Sequence, residues 1–204
     1  RSAMGSLATP YPERAALDGT AATIGYRRLL ELGHRRFALF TFSPGSRHLG
    51  QARTDALDEV LRDAGVGSEA VVTVSAGDPG ECVAEVQYLA ALRERPTAFI
   101  SAMGRLTPYI LEGIHSAGLR IPTDASFLCF GDSQWHKGYS PPISVIRHDY
   151  AAAARRTVER LVARIEGREV PEISHRPSEF VMRGSIGPAP IGKRMVGAGA
   201  GSLK

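Results

Sequence analysis

Hydrophobic and polar positions repeat with two different periods along this chain of 204 residues. Apolar residues spaced three and four apart predict amphipathic helices over 20–32, 48–64, 80–93, 105–117 and 150–166. Short runs that are apolar throughout predict strands at 37–42, 70–75, 97–101, 126–130, 143–146 and 179–182. Gly33, Gly118 and Gly167 follow three of the helices, where glycine commonly ends a helix.

The apolar strands determine the expected fold class. Strands without polar alternation, separated by amphipathic helices, are typical of a parallel sheet that is covered on both faces. The sequence therefore predicts an α/β fold, a parallel sheet flanked by helices. The spacing within 150–166 predicts that this helix buries Ala154, Val158, Leu161, Val162 and Ile165.

Composition divides the chain into three regions. Residues 15–188 carry the periodic elements and are expected to form one domain. Residues 1–14 are interpreted as a linker or cloning remnant, and the glycine-rich residues 189–204 as a flexible tail.

Charge and composition exclude several classes of protein. The net charge is +4, but four basic residues in the predicted termini account for the excess, so we expect no basic surface for nucleic acid. No run of eighteen apolar residues occurs, so we expect no membrane span. Cys82 and Cys129 lack metal-ligand spacing, and we see no export signal, so we expect a cytoplasmic protein without metal or cofactor.

The loops that follow the strands are the first place to look for a site. In an open parallel sheet, the loops at the carboxyl ends of the strands surround the binding crevice. These loops contribute side chains that suit a small polar molecule: Arg47, Asp78, Arg105, Asp132, Gln134 and Trp135. Ordinary polarity of exposed loops explains the same residues equally well.

Motifs of enzymes are absent from the sequence. We find no P-loop, no nucleophile elbow and no dinucleotide-binding glycine fingerprint, so an enzyme is not expected. His34 follows the glycine that ends a helix, which favours a structural role in contact with free carbonyl groups. His148 is open to a structural or a functional interpretation.

Five segments form a set of motifs: LLELGHRRFA at 29–38, RPTAFI at 95–100, AGLRIPTDAS at 117–126, GYSPPISVIR at 138–147 and EFVMRGS at 179–185. In this order and spacing they resemble the effector-binding domain of LacI/GalR-family bacterial transcription regulators. The resemblance covers residues from about 15 to 186.

The resemblance implies a type I periplasmic-binding-protein-like fold with two lobes and a small-molecule effector of a sugar-like kind in the cleft. It also implies a homodimer that controls operator DNA through helix-turn-helix heads. The chain corresponds mainly to the C-terminal lobe, so we expect part of the N-terminal lobe and the head to be missing. Residues 143–170 would then lack the sheet that they contact in the family.

Two other functions remain open at this point. A solute-binding protein that serves a transporter shares the fold, and a signal peptide upstream would favour it. An enzyme on a flavodoxin-like sheet is the third hypothesis, although no nucleophile or phosphate loop supports it.

The resemblance is weakest in the pocket. Met103 and Gly104 stand where the family often has Asn-Asp, and Gly131 stands where it has an aspartate. Leu49 replaces the ligand-binding arginine, and the glycine-aromatic pair after it reads Ala52-Arg53. A simple sugar would be poorly bound, and we expect a less polar ligand, an anionic ligand, or none. The candidate ligand-binding residues are Arg47, Met103, Arg105, Asp132, Trp135 and His148.

The resemblance also implies where two subunits meet. It places the two-fold interface on the helix 105–117 and on residues 135–146. The candidate apolar centre consists of Leu106, Tyr109, Ile110 and Tyr139. Helical spacing alone suits burial in the core of one chain equally well.

Overall fold

Helices and strands alternate along the chain in a computed structural model, which describes residues 12–42, 47–170 and 178–190. Side chains are described over 20–41, 53–170 and 178–190. The α-helices of these residues are α1 (Pro12–Glu31), α2 (Arg47–Asp63), α3 (Pro79–Ala91), α4 (Thr107–Ser116), α5 (Gln134–Gly138) and α6 (Tyr150–Ile165). The strands are β1 (Phe37–Phe42), β2 (Val71–Ala76), β3 (Ala98–Ser101), β4 (Ser126–Phe130), β5 (Ser144–Arg147) and β6 (Glu179–Val181).

The strands form one sheet in the order β2-β1-β3-β4-β5-β6. The pairs from β2 to β5 are parallel, and β6 joins β5 in the antiparallel direction. This arrangement confirms the predicted α/β class. Because β1, β3 and β4 are neighbours, the loops that follow them meet at the carboxyl edge of the sheet.

Two layers of helices cover the two faces of the sheet. Phe37 and Leu39 of β1 pack in a core with residues of α1 and α2. The alternate residues Ala38 and Phe40 pack in a second core with residues of α3 and α4. Successive side chains of a strand point to opposite faces, so a strand that is covered on both faces is apolar at every position.

Helix α6 departs from the expected packing. Its predicted buried stripe is wrong: Val158 and Leu161 are each 58% exposed and Ile165 is 76% exposed. Ala154 is also exposed, and Val162 is 39% exposed. Among the described residues of α6, Ala163 alone is buried. The amphipathic spacing is real, but amphipathic spacing does not state which surface the apolar face meets.

The segment after β6 crosses the amino edge of the sheet. The Ser185 hydroxyl donates to the Phe127 carbonyl at 2.7 Å and accepts from the Ser144 amide at 2.7 Å. The Ala189 amide donates to the Leu32 carbonyl at 2.8 Å. The expected flexible tail therefore begins with a residue that binds the turn directly after α1. Residues 191–204 lie outside the described residues.

Two helices, α1 and α5, differ from the sequence-based prediction. Helix α1 begins at Pro12, within the stretch interpreted as a linker, and not near residue 20. Helix α5 was not predicted, since five residues are too few to show a period. Ser133 caps the N-terminus of this helix. Its hydroxyl accepts from the His136 backbone amide, and its own backbone amide donates to the His136 imidazole.

Candidate ligand-binding site at the carboxyl edge of the sheet

Arg53 of α2 is a buried cation at the carboxyl edge. It is 5% exposed, and its Nη1 donates to the carbonyl of Ala102, directly after β3. Nη1 also lies 3.8 Å from the Met103 sulfur. The guanidinium carbon lies 4.3 Å from the centroid of the Phe130 ring, at the end of β4. This cation–π contact and the hydrogen bond fix the guanidinium between two strand ends.

Arg53 was absent from the sequence-based candidates, although a signal existed. It lies four residues before Leu57 and seven before Val60, both of which are buried on the inner face of α2. An arginine on the buried stripe of an amphipathic helix is unusual. The arginine that was predicted, Arg47, lies in the first turn of α2, and its side chain is outside the described residues.

The loop after β3 is held close to the end of β4. The Ser101 hydroxyl donates to the Met103 carbonyl at 2.8 Å, and the Thr107 hydroxyl donates to Ser101 at 3.1 Å. A Cβ atom at Gly104 would lie 2.9 Å from the Phe130 carbonyl oxygen. An aspartate at position 104 would force this loop away from β4, so glycine suits the observed path.

Asp132 follows β4 and is engaged by Arg183. The Arg183 guanidinium donates to both carboxylate oxygens, at 3.0 and 2.6 Å, and to the Ile143 carbonyl at 2.8 Å. The two side chains are 13% and 8% exposed. Burial acts to raise the pKa of the Asp132 carboxyl, but the hydrogen bonds and charge of Arg183 outweigh it, so that pKa is lowered. A ligand at Asp132 would compete with Arg183.

His136 is neutral in this arrangement. Its Nδ1 accepts a hydrogen bond from the Ser133 amide at 3.0 Å, so the proton of a neutral ring is on Nε2. Burial lowers the pKa of His136, and the nearby Asp132 offsets this only in part. The contact of Nδ1 with the Asp132 carboxylate, at 3.8 Å, is therefore not an ion pair at neutral pH.

The other predicted ligand-binding residues lie in different surroundings. Arg105 is exposed in the turn before α4. His148 follows β5 and its Nδ1 lies 2.7 Å from the Ser178 hydroxyl. Trp135 is 42% exposed and packs on His136, with ring centroids 4.0 Å apart. Met103 and Asp132 thus lie in the loops after the adjacent strands β3 and β4, and Arg53 of α2 contacts the first of these loops. Trp135 is exposed on α5.

An aromatic patch on the α4 and α5 side consists of His115, Trp135 and Tyr139. Tyr139 stacks on His115 at 6.1 Å, and its hydroxyl lies 3.1 Å from the imidazole Nε2. Trp135 meets Tyr139 edge-on at 6.3 Å.

Two of the predicted dimer-interface residues are not accessible. Leu106 is 4% exposed and Ile110 is fully buried, and both belong to the core under α3 and α4. These two residues therefore present no surface to a second chain. Tyr109 and Tyr139 are half-buried and reach the surface, so they remain candidates.

Both cysteines are buried. Burial raises the pKa of Cys129 to about 12 and that of Cys82 to about 11, so both thiols are protonated at neutral pH. No group of metal-ligating side chains occurs within 12–42, 47–170 and 178–190. None of the helices in those ranges has the length and hydropathy needed to cross a membrane. A groove lined by Leu30 and Val60 lies between the C-terminal ends of α1 and α2, at the amino edge of the sheet and therefore away from this site.

A family model of the periplasmic binding protein-like domain matches residues 26–186. The probable opine utilization operon repressor of Rhizobium rhizogenes is 28% identical over 163 residues, which are 76% of this chain and 82% of that protein. Several other curated relatives are named as repressors, and the chain matches them over about half of their length.

Solved structures share the fold. A LacI-family transcriptional regulator from Enterococcus faecium with bound ribose has a TM-score of 0.73 at 19% identity, over 84% of this chain and 63% of that one. A dimeric Lac repressor has a TM-score of 0.72 at 22% identity, over 85% of this chain and 63% of that one.

Proposed function

Because this chain belongs to the family of periplasmic binding protein-like domains, and within it to the LacI type, we propose that it senses a small effector at the carboxyl edge of its sheet. In a homodimer, the bound effector would control operator DNA through a helix-turn-helix head. The matched region, 26–186, includes every loop of that edge, and this observation carries the proposal. We expect the protein to act in the cytoplasm, where operator DNA is found.

The geometry supports binding rather than a purely structural domain. The loops after β3 and β4 adjoin each other, and Arg53, Met103 and Phe130 form one contact set there. A ligand site needs a few fixed polar groups beside apolar surface, and these residues supply both. Several curated relatives carry the names of repressors, which favours a regulator over a solute-binding protein of a transporter.

Control of DNA is proposed for the polypeptide in which this domain works. The chain spans about half the length of several curated relatives and about 63% of the solved structures. Effector binding in such a system is expected to change operator affinity by about 5- to 150-fold, the usual range of allosteric coupling.

Isothermal titration calorimetry of the full chain tests the sensing proposal directly. The titrated panel should contain neutral sugars, sugar acids, sugar phosphates and amino-acid conjugates. We expect saturable heat and a raised Tm with at least one class, since a ligand that binds only the folded state stabilises it. A folded chain that gives no saturable heat with any compound would contradict the proposal.

A further inference from the structure

His136 makes the start of helix α5 sensitive to protonation. We propose that mild acid releases the first turn of α5 by protonating the His136 imidazole, and that this release alters the aromatic patch and weakens the association of two subunits. The part that concerns two subunits rests on the proposed function, because the homodimer belongs to it. The release of α5 takes place within one chain and does not depend on that function.

The imidazole of His136 is the acceptor of a helix cap. A capping box usually has glutamate or glutamine three residues after the capping serine, and this side chain accepts from the backbone amide of the serine. His136 occupies that position after Ser133, and its Nδ1 lies 3.0 Å from the Ser133 amide nitrogen. Nδ1 of a histidine accepts a hydrogen bond only while it carries no proton. The cap therefore exists for the neutral ring alone.

A protonated ring cannot keep this arrangement. Both ring nitrogens are then donors, so Nδ1 and the Ser133 amide would bring two N–H groups face to face. The new proton can go to the Ser133 hydroxyl, 3.2 Å away, or to the Asp132 carboxylate, 3.8 Å away. In either case the Ser133 amide loses its acceptor, and the first turn of α5 loses part of its cap.

Helix α5 depends on this cap more than a long helix would. It consists of the five residues Gln134–Gly138, and few backbone hydrogen bonds hold so short a helix. The Tyr139 amide donates to the Trp135 carbonyl at 2.9 Å and closes its last turn. Its first turn is held by the reciprocal contacts of Ser133 and His136, so loss of one of them frees that turn.

The charges around His136 set the balance between its two forms. His136 is 3% exposed, and this burial disfavours the charged ring. The Asp132 carboxylate favours the charged ring, while Arg183, which binds both oxygens of Asp132, opposes it. Lys137 is the next residue of α5 and is exposed, and the Cys129 thiol of β4, 3.9 Å from Nε2, is protonated. The net effect lowers the pKa of His136, so the cap is intact at neutral pH and lost in mild acid.

The same short helix positions two side chains of the aromatic patch. The Trp135 ring packs on the His136 ring with centroids 4.0 Å apart and meets Tyr139 edge-on. Tyr139 directly follows α5 and stacks on His115 of α4. A change in the first turn of α5 therefore moves Trp135 and Tyr139 relative to α4, and with them the surface proposed for the second subunit.

The fluorescence of Trp135 tests the release of α5 in the full chain. Trp135 is the only tryptophan, so every change in emission comes from the side chain that contacts His136. Between pH 7.5 and 5.0 we expect the emission to shift to longer wavelength and to lose intensity, since the indole becomes hydrated and meets a charged imidazole. The midpoint should lie below about 6.5, the usual pKa of histidine, because burial lowers the pKa of His136.

His136→Gln separates the cap from its titration. Glutamine is a usual acceptor at this position of a capping box and does not titrate, so this variant should emit like the neutral wild type at both pH values. His115→Gln, which changes the other imidazole of the patch, and His34→Gln, a buried histidine bound to Gly187, are the matched controls and should keep the transition. If His136→Gln does not fold, the imidazole nitrogen shifts of wild-type His136, measured by NMR, give the same titration and its midpoint.

Sedimentation velocity at both pH values tests the effect on association. We expect mild acid to weaken the wild-type dimer by about 5- to 150-fold, the usual range of coupling between two sites, and to leave the His136→Gln dimer unchanged.

Constant Trp135 emission down to pH 5.0, or the same transition in His136→Gln, would overturn the release of α5. A Trp135 transition with a dimer of equal strength at both pH values would overturn the effect on association and leave the homodimer standing. A chain that is monomeric throughout would overturn that effect together with the proposed homodimer, while its Trp135 transition would still support the release of α5.

Discussion

Asp132 and Arg183 join two parts of the chain that are distant in sequence. The ion pair connects the end of β4 to the segment after β6, and Arg183 also binds the Ile143 carbonyl. Both side chains are largely buried, so neither charge is well hydrated when its partner is removed. The pair therefore holds the loop after β4 in the position from which α5 begins.

Asp132→Asn is expected to lower the free energy of unfolding by about 3 kcal/mol at pH 7, because it leaves a buried guanidinium without its carboxylate. The pKa of Asp132 is lowered in the fold. The stabilisation is therefore complete above the unfolded pKa and is lost as the pH falls through the folded pKa. Urea unfolding of wild type and variant at pH 7 and in acid measures this, and the difference should shrink in acid.

The matched control is Glu179→Gln, which breaks the exposed pair of Arg147 and Glu179. An exposed pair contributes about 0–1 kcal/mol, so this change should have little effect. Equal losses in the two variants would contradict the role assigned to Asp132.

His34 has the structural role that its position after the glycine indicated. It is fully buried, and its Nε2 donates to the Gly187 carbonyl at 3.0 Å. Its Nδ1 lies 2.9 Å from the Thr97 hydroxyl, which donates to it when the ring is neutral. His34 thus joins the end of α1 to the C-terminal segment that crosses the amino edge.

Acidification is expected to destabilise the fold through His34. Burial lowers its pKa, and the hydrogen bond to Gly187 only partly opposes this. The contribution of His34 to the free energy of unfolding is therefore complete above the unfolded pKa of about 6.5. It is lost as the pH falls through the folded pKa. Chemical unfolding at pH 7.5 and 5.5 should show that acidification lowers the free energy of unfolding less for His34→Gln than for the wild type. An equal loss in both proteins would refute this.

At the scale of elements, α3 and α4 approach each other through Gly113. A Cβ atom at this position would lie 2.6 Å from the Val86 Cβ, so a side chain would push the two helices apart. Glycine costs stability within a helix, and the close packing of α3 and α4 offsets that cost.

Gly113→Ala is expected to lower the free energy of unfolding by about 1–3 kcal/mol, the usual effect of overpacking a core. The control is Gly138→Ala, because a Cβ atom there would meet nothing within 4 Å. Thermal unfolding followed by circular dichroism compares the two. A Gly113→Ala variant as stable as the Gly138→Ala variant would show that the helices separate without cost.

Helix α6 shows what periodicity predicts and what it leaves open. The spacing of Val158, Leu161 and Ile165 correctly predicted a helix with an apolar face. The same spacing was taken to mean burial, and these residues are exposed. An amphipathic helix requires an apolar neighbour for its stripe, but the identity of that neighbour is a property of the surrounding structure.

At the scale of the whole molecule, the aromatic patch is the surface on which the proposed homodimer is most easily tested. Tyr109 and Tyr139 reach the surface, and Tyr139 packs between His115 and Trp135. Trp135 is the single tryptophan of the chain, so its fluorescence reports on this patch alone.

Tyr109→Glu is expected to convert a dimer into a monomer, because a buried charge at an interface centre is costly. Sedimentation velocity at micromolar concentration measures the change, and the emission of Trp135 should shift to longer wavelength as the patch becomes hydrated. Tyr88→Glu is the control, since Tyr88 is 63% exposed on α3. A wild-type chain that remains monomeric, or a loss of dimer in the control, would contradict the predicted interface.

The sequence alone determined the order of the strands and the long helices, the α/β class and the family. Strands that are apolar at every position require cover on both faces, and this property can be read from composition and period. The sequence also showed the motif that contains Arg183 and Ser185, but it did not show which residues these two side chains contact. These features are local, so neighbouring residues carry the information for them.

The tertiary structure decided which charges meet and which apolar surfaces are covered. It joined Asp132 to Arg183 across 51 positions, placed Leu106 and Ile110 in the core, and left α6 exposed. It also brought Arg53 to the strand ends beside Phe130. Each of these outcomes depends on elements that are distant in sequence and adjacent in space, so no local period encodes it.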